Sequence, residues 1–236
     1  MRQLTRRLAA AAVVVWAIGA PAALAQDRLG ALEAALAAAP GDLRAGDEYR
    51  RGVIEVDAYD RAIAFFEKLV AAHSDESNLH LNFGFAYVDK IPAAGSITQV
   101  ILANNALNEF TRALELAPSW IGYYTRGNSY LFWPKIFGRT PLGIADLEEA
   151  IEIQRSGDTE PYHARAWVAL GDGYWKMDDL ARAREVWTDA LSQFPGNTEL
   201  KARVSAEGDA LKALMDRVYD PAIRVDTSLR DLWSNR

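Results

Sequence analysis

The residues able to do acid–base or metal chemistry are few and scattered. His73, His80 and His163 stand apart in the chain, and no two of them have the spacing that brings imidazoles onto one metal ion. Glu148-Glu149 and Asp178-Asp179 have the residue type of a general acid and base. Adjacent residues of a helix diverge by about 100 degrees, so the first pair does not converge on one substrate atom. The second pair opens a helix, where aspartate serves as an N-cap. His80 occupies a large position of an apolar helix and reads as a packing residue. The chain has no cysteine, so it offers neither a thiolate nor a disulfide, and it lacks a Gly-rich phosphate loop and a nucleophile elbow. No cofactor and no catalysis are expected. The chemistry left is recognition by aromatic, amide and apolar side chains.

The elements that position those side chains begin after a leader. Arg2, Arg6 and Arg7 precede an apolar run from Leu8 to Ile18, and Ala23-Leu24-Ala25 follows. This is the layout of a secretory signal peptide cleaved after Ala25. The run is 11 residues long, short of the roughly 20 that span a bilayer, so no stable membrane insertion is expected after cleavage. Thr5-Arg6-Arg7 also fits a twin-arginine leader, but no cofactor motif requires folded export, and general secretory export to the periplasm is the expectation. Without the leader, 23 basic residues face 32 acidic ones, a formal charge of −9. That balance disfavours a nucleic-acid partner and adhesion to anionic lipid. Half of the chain is hydrophobic, enough for a packed domain.

Helical periodicity runs through the rest. In residues 164–197, Trp167, Leu170, Gly171 and Tyr174 are followed by Ala183, Trp187, Ala190 and Pro195. This large–small pattern over two helices resembles the tetratricopeptide repeat (TPR), a unit of about 34 residues. Residues 120–155 repeat it with Tyr123, Gly127 and Tyr130, then Gly143, Leu147 and Ala150. Gly127 and Gly143 are 16 residues apart, whereas 12 separate Gly171 from Ala183; the excess lies in an enlarged turn, Phe132 to Pro141. Residues 77–119 place Phe83, Gly84 and Tyr87 before Ala106, Phe110, Ala113 and Pro118. Their surplus is a loop at Ile91 to Ser96 and a second helix extended at its start. Residues 43–76 form a more degenerate unit, with Tyr49, Arg50 and Val53 in the first helix and Ala62, Phe66 and Leu69 in the second. Residues 26–42 read as a helix or half repeat. Residues 198–236 read as one long capping helix through Val218, then a tail after Pro221 whose Leu229, Leu232 and Trp233 dock back as a short helix.

The resemblance implies an all-α, right-handed superhelical stack of antiparallel helix pairs, about four repeats with a C-terminal cap. It also implies a concave face lined by first helices that receives a protein or peptide. Carried over unit by unit, that lining is Asn78, Leu81, Phe85 and Val88; Ile121, Tyr124, Asn128 and Leu131; Arg165, Val168, Asp172 and Trp175. Asn82 and Asn128 resemble the amides of a carboxylate clamp found in some members, but Leu81 and Tyr124 stand where its lysines would be. Turns between first and second helices share one edge of such a stack. Trp133, Ile136 and Phe137 in the enlarged turn are therefore candidate partner contacts, with the alternative that these turns fold down over the groove. The expected function is a non-catalytic periplasmic scaffold or adaptor in an envelope complex. The alternative is a transport accessory that handles a small solute in its groove.

Overall fold

A computed structural model describes residues 19–220, 223 and 225–233, with no side-chain account of residues 19–26. Residues 1–18 of the leader expected over residues 1–25 lie outside the residues so described, and residues 19–25 belong to the start of α1. Eleven α-helices follow in order among the described residues, without a strand: α1 Gly19–Ala38, α2 Leu43–Glu55, α3 Tyr59–Ala72, α4 Ser77–Lys90, α5 Ser96–Leu116, α6 Trp120–Leu131, α7 Thr140–Arg155, α8 Ala164–Lys176, α9 Leu180–Gln193, α10 Thr198–Ser205 and α11 Gly208–Val218.

Local chemistry starts these helices. Asp42, Ser119, Asp179 and Asn197 each accept a hydrogen bond from an amide of the first turn that follows, satisfying donors that have no partner within the helix. Asp179 thus serves as a cap, and its neighbour Asp178, at φ 64°, pairs with Lys135 instead.

Pairs α4–α5, α6–α7 and α8–α9 pack closely, each through a glycine on the first helix. A Cβ on Gly171 would lie 2.2 Å from the Trp187 indole nitrogen, and one on Gly127 would lie 2.9 Å from Leu147. Helices this close leave no room for a methyl group, so enlargement must force them apart. Trp187 is fully buried and donates to the Val168 carbonyl at 3.2 Å, which meets the need of a buried indole for an acceptor. The architecture is an all-α stack of helix pairs, as the resemblance to the repeat implies. The surplus residues of the second and third units are absorbed outside the paired segments. In α5, the first two turns overhang the shorter α4 and leave Ile97, Val100 and Ile101 exposed.

Two expectations about the C-terminus need correction. The long capping helix is two helices, α10 and α11, because the chain turns extended at Ala206 and Glu207 before Gly208 adopts φ 49°. The apolar period of Leu200, Val204, Leu211 and Leu214 continues across the break, which is why the sequence hides it. The tail docks on the body through Leu229, Leu232 and Trp233 as expected, but as a non-helical run with a single 3₁₀ turn at Arg230–Leu232 rather than as a longer helix. It lies in the concave face.

Candidate functional site

Helices α2, α4, α6 and α8 are the first helices of their pairs and supply one shared face. α2 packs on α4, and α6 on α8. Across that face run residues 225–229, non-helical and with burial that alternates from residue to residue as in an extended run. A single 3₁₀ turn, Arg230–Leu232, follows. Thr227 donates its hydroxyl to Asp89 and accepts from Arg50 Nη2 at its carbonyl, 3.3 Å away. Arg50 Nη1 lies 3.1 Å from Asp89 Oδ2, with both residues 2% exposed. The guanidinium also sits 4.7 Å from the Phe85 ring centroid, a cation over an aromatic face. Leu229, 2% exposed, borders a residual space of about 40 Å³ with Phe85, Phe110, Tyr124 and Thr125. The 3₁₀ turn then brings Asp231 to Arg165, 2.7 Å apart.

Farther along the face, Asp172 receives two bonds from Arg203, at 2.6 and 2.7 Å, and one from the Tyr219 hydroxyl at 3.1 Å. Burial pushes the Asp172 carboxyl up, and the Arg203 fork opposes it. Burial and then the Asp172 charge push the Tyr219 phenol well above its ordinary range. A buried carboxylate needs such partners to remain ionised.

The candidate groove residues therefore fall into separate groups. Phe85, Tyr124, Asn128 and Arg165 are brought together, around the tail. Asp172 is committed to Arg203 and Tyr219. Asn78 and Asn82 lie apart from these and donate to the Gly41 and Asp42 carbonyls, at 3.1 and 3.3 Å; Asn82 is wholly buried, so it is a strut for the α1–α2 turn and has no surface to offer a carboxylate. Leu81, Leu131 and Val168 are buried in the core, while Trp175 is half-buried against it.

The enlarged turns meet along one edge, beside the filled groove. Lys135 pairs with Asp178 at 2.7 Å, Arg139 donates to Asn104 at 2.9 Å, and Lys176 donates to the carbonyls of Leu131 and Trp133. Burial, reinforced by nearby Lys135, lowers the pKa of the Lys176 ammonium. Between these turns opens a mainly apolar cleft of about 400 Å³, bordered by Val88, Ile91, Pro92, Val100, Phe132, Trp133 and Tyr219.

Trp133 corrects the expectation of an exposed contact. It is 7% exposed, covered by the Arg139 guanidinium 3.6 Å from its ring centroid and met edge-on by Phe137 at 5.4 Å. Ile136 and Phe137 remain outside, 90% and 55% exposed. One part of the turn folds down and the other stays open.

Sequence reasoning missed Arg50, Asp89, Lys176, Arg203, Thr227 and Asp231. Arg50 carried the available signal, since it stands where the repeat expects a small residue. Tail anchors separated from their sites by well over a hundred residues leave no periodic trace.

The acid–base candidates have structural partners. Glu148 accepts from the Tyr174 hydroxyl at 2.7 Å. His80 contacts Glu109 at 2.6 Å and the Ser74 carbonyl at 3.1 Å; burial disfavours its charge, but these two acceptors win and raise its pKa. His163 accepts from the Glu160 amide at 3.0 Å, and burial lowers its pKa.

No protein-family model matches the chain. Bacteriophage adsorption protein A of Escherichia coli (strain K12) is 30% identical over 95 residues, which is 40% of this chain and 9% of that protein's length. Among solved structures, the thermophilic TPR protein TTC0263 of Thermus thermophilus aligns with a TM-score of 0.57 at 22% identity, covering 81% of this chain and 93% of that one. MamA aligns at 0.50 and 18% identity, over 80% and 90% of the two chains. YrrB, described as a TPR protein with an unusual peptide-binding site, aligns at 0.50 and 17% identity, over 87% and 97%. These likenesses show the fold: a stack of TPR-type helix pairs.

Proposed function

We propose that the chain is an exported, non-catalytic scaffold that holds a protein partner along its turn edge, in a complex of the bacterial envelope. The leader pattern at Arg2 to Ala25 supports export to the periplasm, and the acidic balance supports a protein rather than a nucleic acid as partner. The observation that carries the reading is the apolar cleft of about 400 Å³, with exposed Val100 in its lining and exposed Phe137 against its lining residue Trp133, while Ile97, Ile101 and Ile136 are exposed in the same chain segments. A soluble chain keeps such side chains outside at a cost in solubility, and clustered exposure marks contact surfaces. The peptide site ascribed to the structural neighbour YrrB is in keeping with recognition.

The cleft also falls within the range of small-molecule sites, which favours a second reading, a transport accessory that carries a small apolar solute there. Replacing both Ile136 and Phe137 with lysine tests the first. The variant should keep native circular dichroism and lose the partner that co-purifies from the envelope, while lysine at exposed Asp189 should keep it. Undiminished co-purification would remove the edge from the account. Native mass spectrometry reads the alternative directly: a retained small molecule on the purified chain supports the carrier.

A further inference from the structure

We infer that the concave groove is a peptide site whose ligand class is written in the chain's own tail: a segment with a small hydroxyl residue, a leucine two positions on, and a carboxylate two beyond that. It goes beyond the edge reading, because Ile136 and Phe137 take no part in it. Each element of the pattern has a reader. Asp89 and Arg50 take the Thr227 hydroxyl and carbonyl, the space beside Phe85, Phe110 and Tyr124 takes Leu229, and Arg165 takes the Asp231 carboxylate.

The tail fills this site imperfectly. Among the described residues, Arg50 Nε, Thr125 Oγ1 and Asp231 Oδ1 are buried without a hydrogen-bond partner, and all three belong to the tail or to the residues around it. Buried polar atoms in native structures are ordinarily paired. A partner segment that pairs Arg50 Nε and Thr125 Oγ1, and seats its own carboxylate better than Asp231 does, while keeping the three anchors would therefore bind better than the tail. The tail competes because it is tethered, beginning a few residues beyond the end of α11. A short tether supplies a local concentration in the range of about 1 mM. The occupant is thus an extended acidic segment of another protein, exchanging with residues 225–233.

The test uses the full chain and a labelled peptide with the sequence of residues 225–233, followed by fluorescence anisotropy. Leu229→Asp in the chain should release the tail and tighten peptide binding at least about tenfold over the wild type, by removing the tethered competitor. Adding Arg165→Gln should reverse about tenfold of that gain, and a peptide with aspartate in place of its leucine should not bind. Hydrogen exchange of the tail amides reports release independently. A chain with a released tail, native circular dichroism and no gain in binding overturns the inference. So does loss of the fold in both Leu229→Asp and the milder Asp231→Asn, which would make the tail a fixed part of the core. A tail seated in a second copy, seen as a concentration-dependent dimer by light scattering, overturns it as well. Edge variants leave this measurement unchanged, so its failure and that of the scaffold reading are separable.

Discussion

The groove and the turn edge lie side by side on one stack and solve opposite problems. The groove brings charges inside and satisfies many of them within the chain: Arg50 with Asp89, Arg203 with Asp172, and the tail laid across both helix and charge. The edge leaves apolar side chains outside, at Ile97, Ile136 and Phe137, and fastens its turns through the Lys176 ammonium and the stacked Trp133 and Arg139. The difference teaches that the residues holding a surface in place and those presented by it are distinct. In the edge they are two to four positions apart in one turn.

The largest separation between the regions should come from Arg50→Ala. It takes the buried guanidinium from Asp89, while Asp47 keeps its pair with Arg51, a class of change that costs about 3–5 kcal/mol. Urea denaturation followed by circular dichroism measures this, and a loss below about 1 kcal/mol would mean that water reaches the groove. On the edge, Ile136→Ser should shift stability by no more than about 0.5 kcal/mol, as for other exposed positions. A larger loss would show that the turn tip is part of the core, and the comparison would fail from that side.

The repeat architecture was legible because its signal is local. Gly84 faces Phe110, Gly127 faces Leu147 and Gly171 faces Trp187, the same small-against-large contact three times, and each is set by spacing along one pair of helices. The enlarged turns could be located by the same spacing, as departures from it. Which turn residues fold inward was not legible, since Trp133 and Phe137 are similar in type and their fates are decided by Arg139 and Lys176 from other positions. The filled groove was illegible for a stronger reason. Thr227 meets Arg50 across 177 residues, and neither the hydroxyl nor the guanidinium belongs to an apolar period. Leu229, Leu232 and Trp233 announce that the mostly polar tail docks, but nothing in their spacing says on which face.

The smallest effect is expected away from both regions, at His80. Its pKa is raised in the fold, so its contribution to stability is fully present below the ordinary histidine value of about 6.5 and is lost as pH rises through the folded value. His163 has the opposite sign: its pKa is lowered, and its contribution is present above about 6.5 and lost as pH falls through the folded value. His80→Gln should therefore lower the melting temperature more at pH 5.5 than at pH 8.5, with the His163 contribution common to both proteins. An equal loss at both pH values would show that the Glu109 contact does not hold the proton.

The contrast between a groove closed by its own tail and an edge open to a partner is tested most directly by placing a photo-crosslinking amino acid at one position in each. The positions are Tyr124 in the groove and Phe137 on the edge, irradiated in the living envelope and read by mass spectrometry. The account predicts that position 124 crosslinks to the peptide containing residues 227–231 of the same chain, except in the fraction where a partner segment has replaced it, and that position 137 yields an adduct with another protein. An intermolecular adduct from 124 with none from 137 would contradict it.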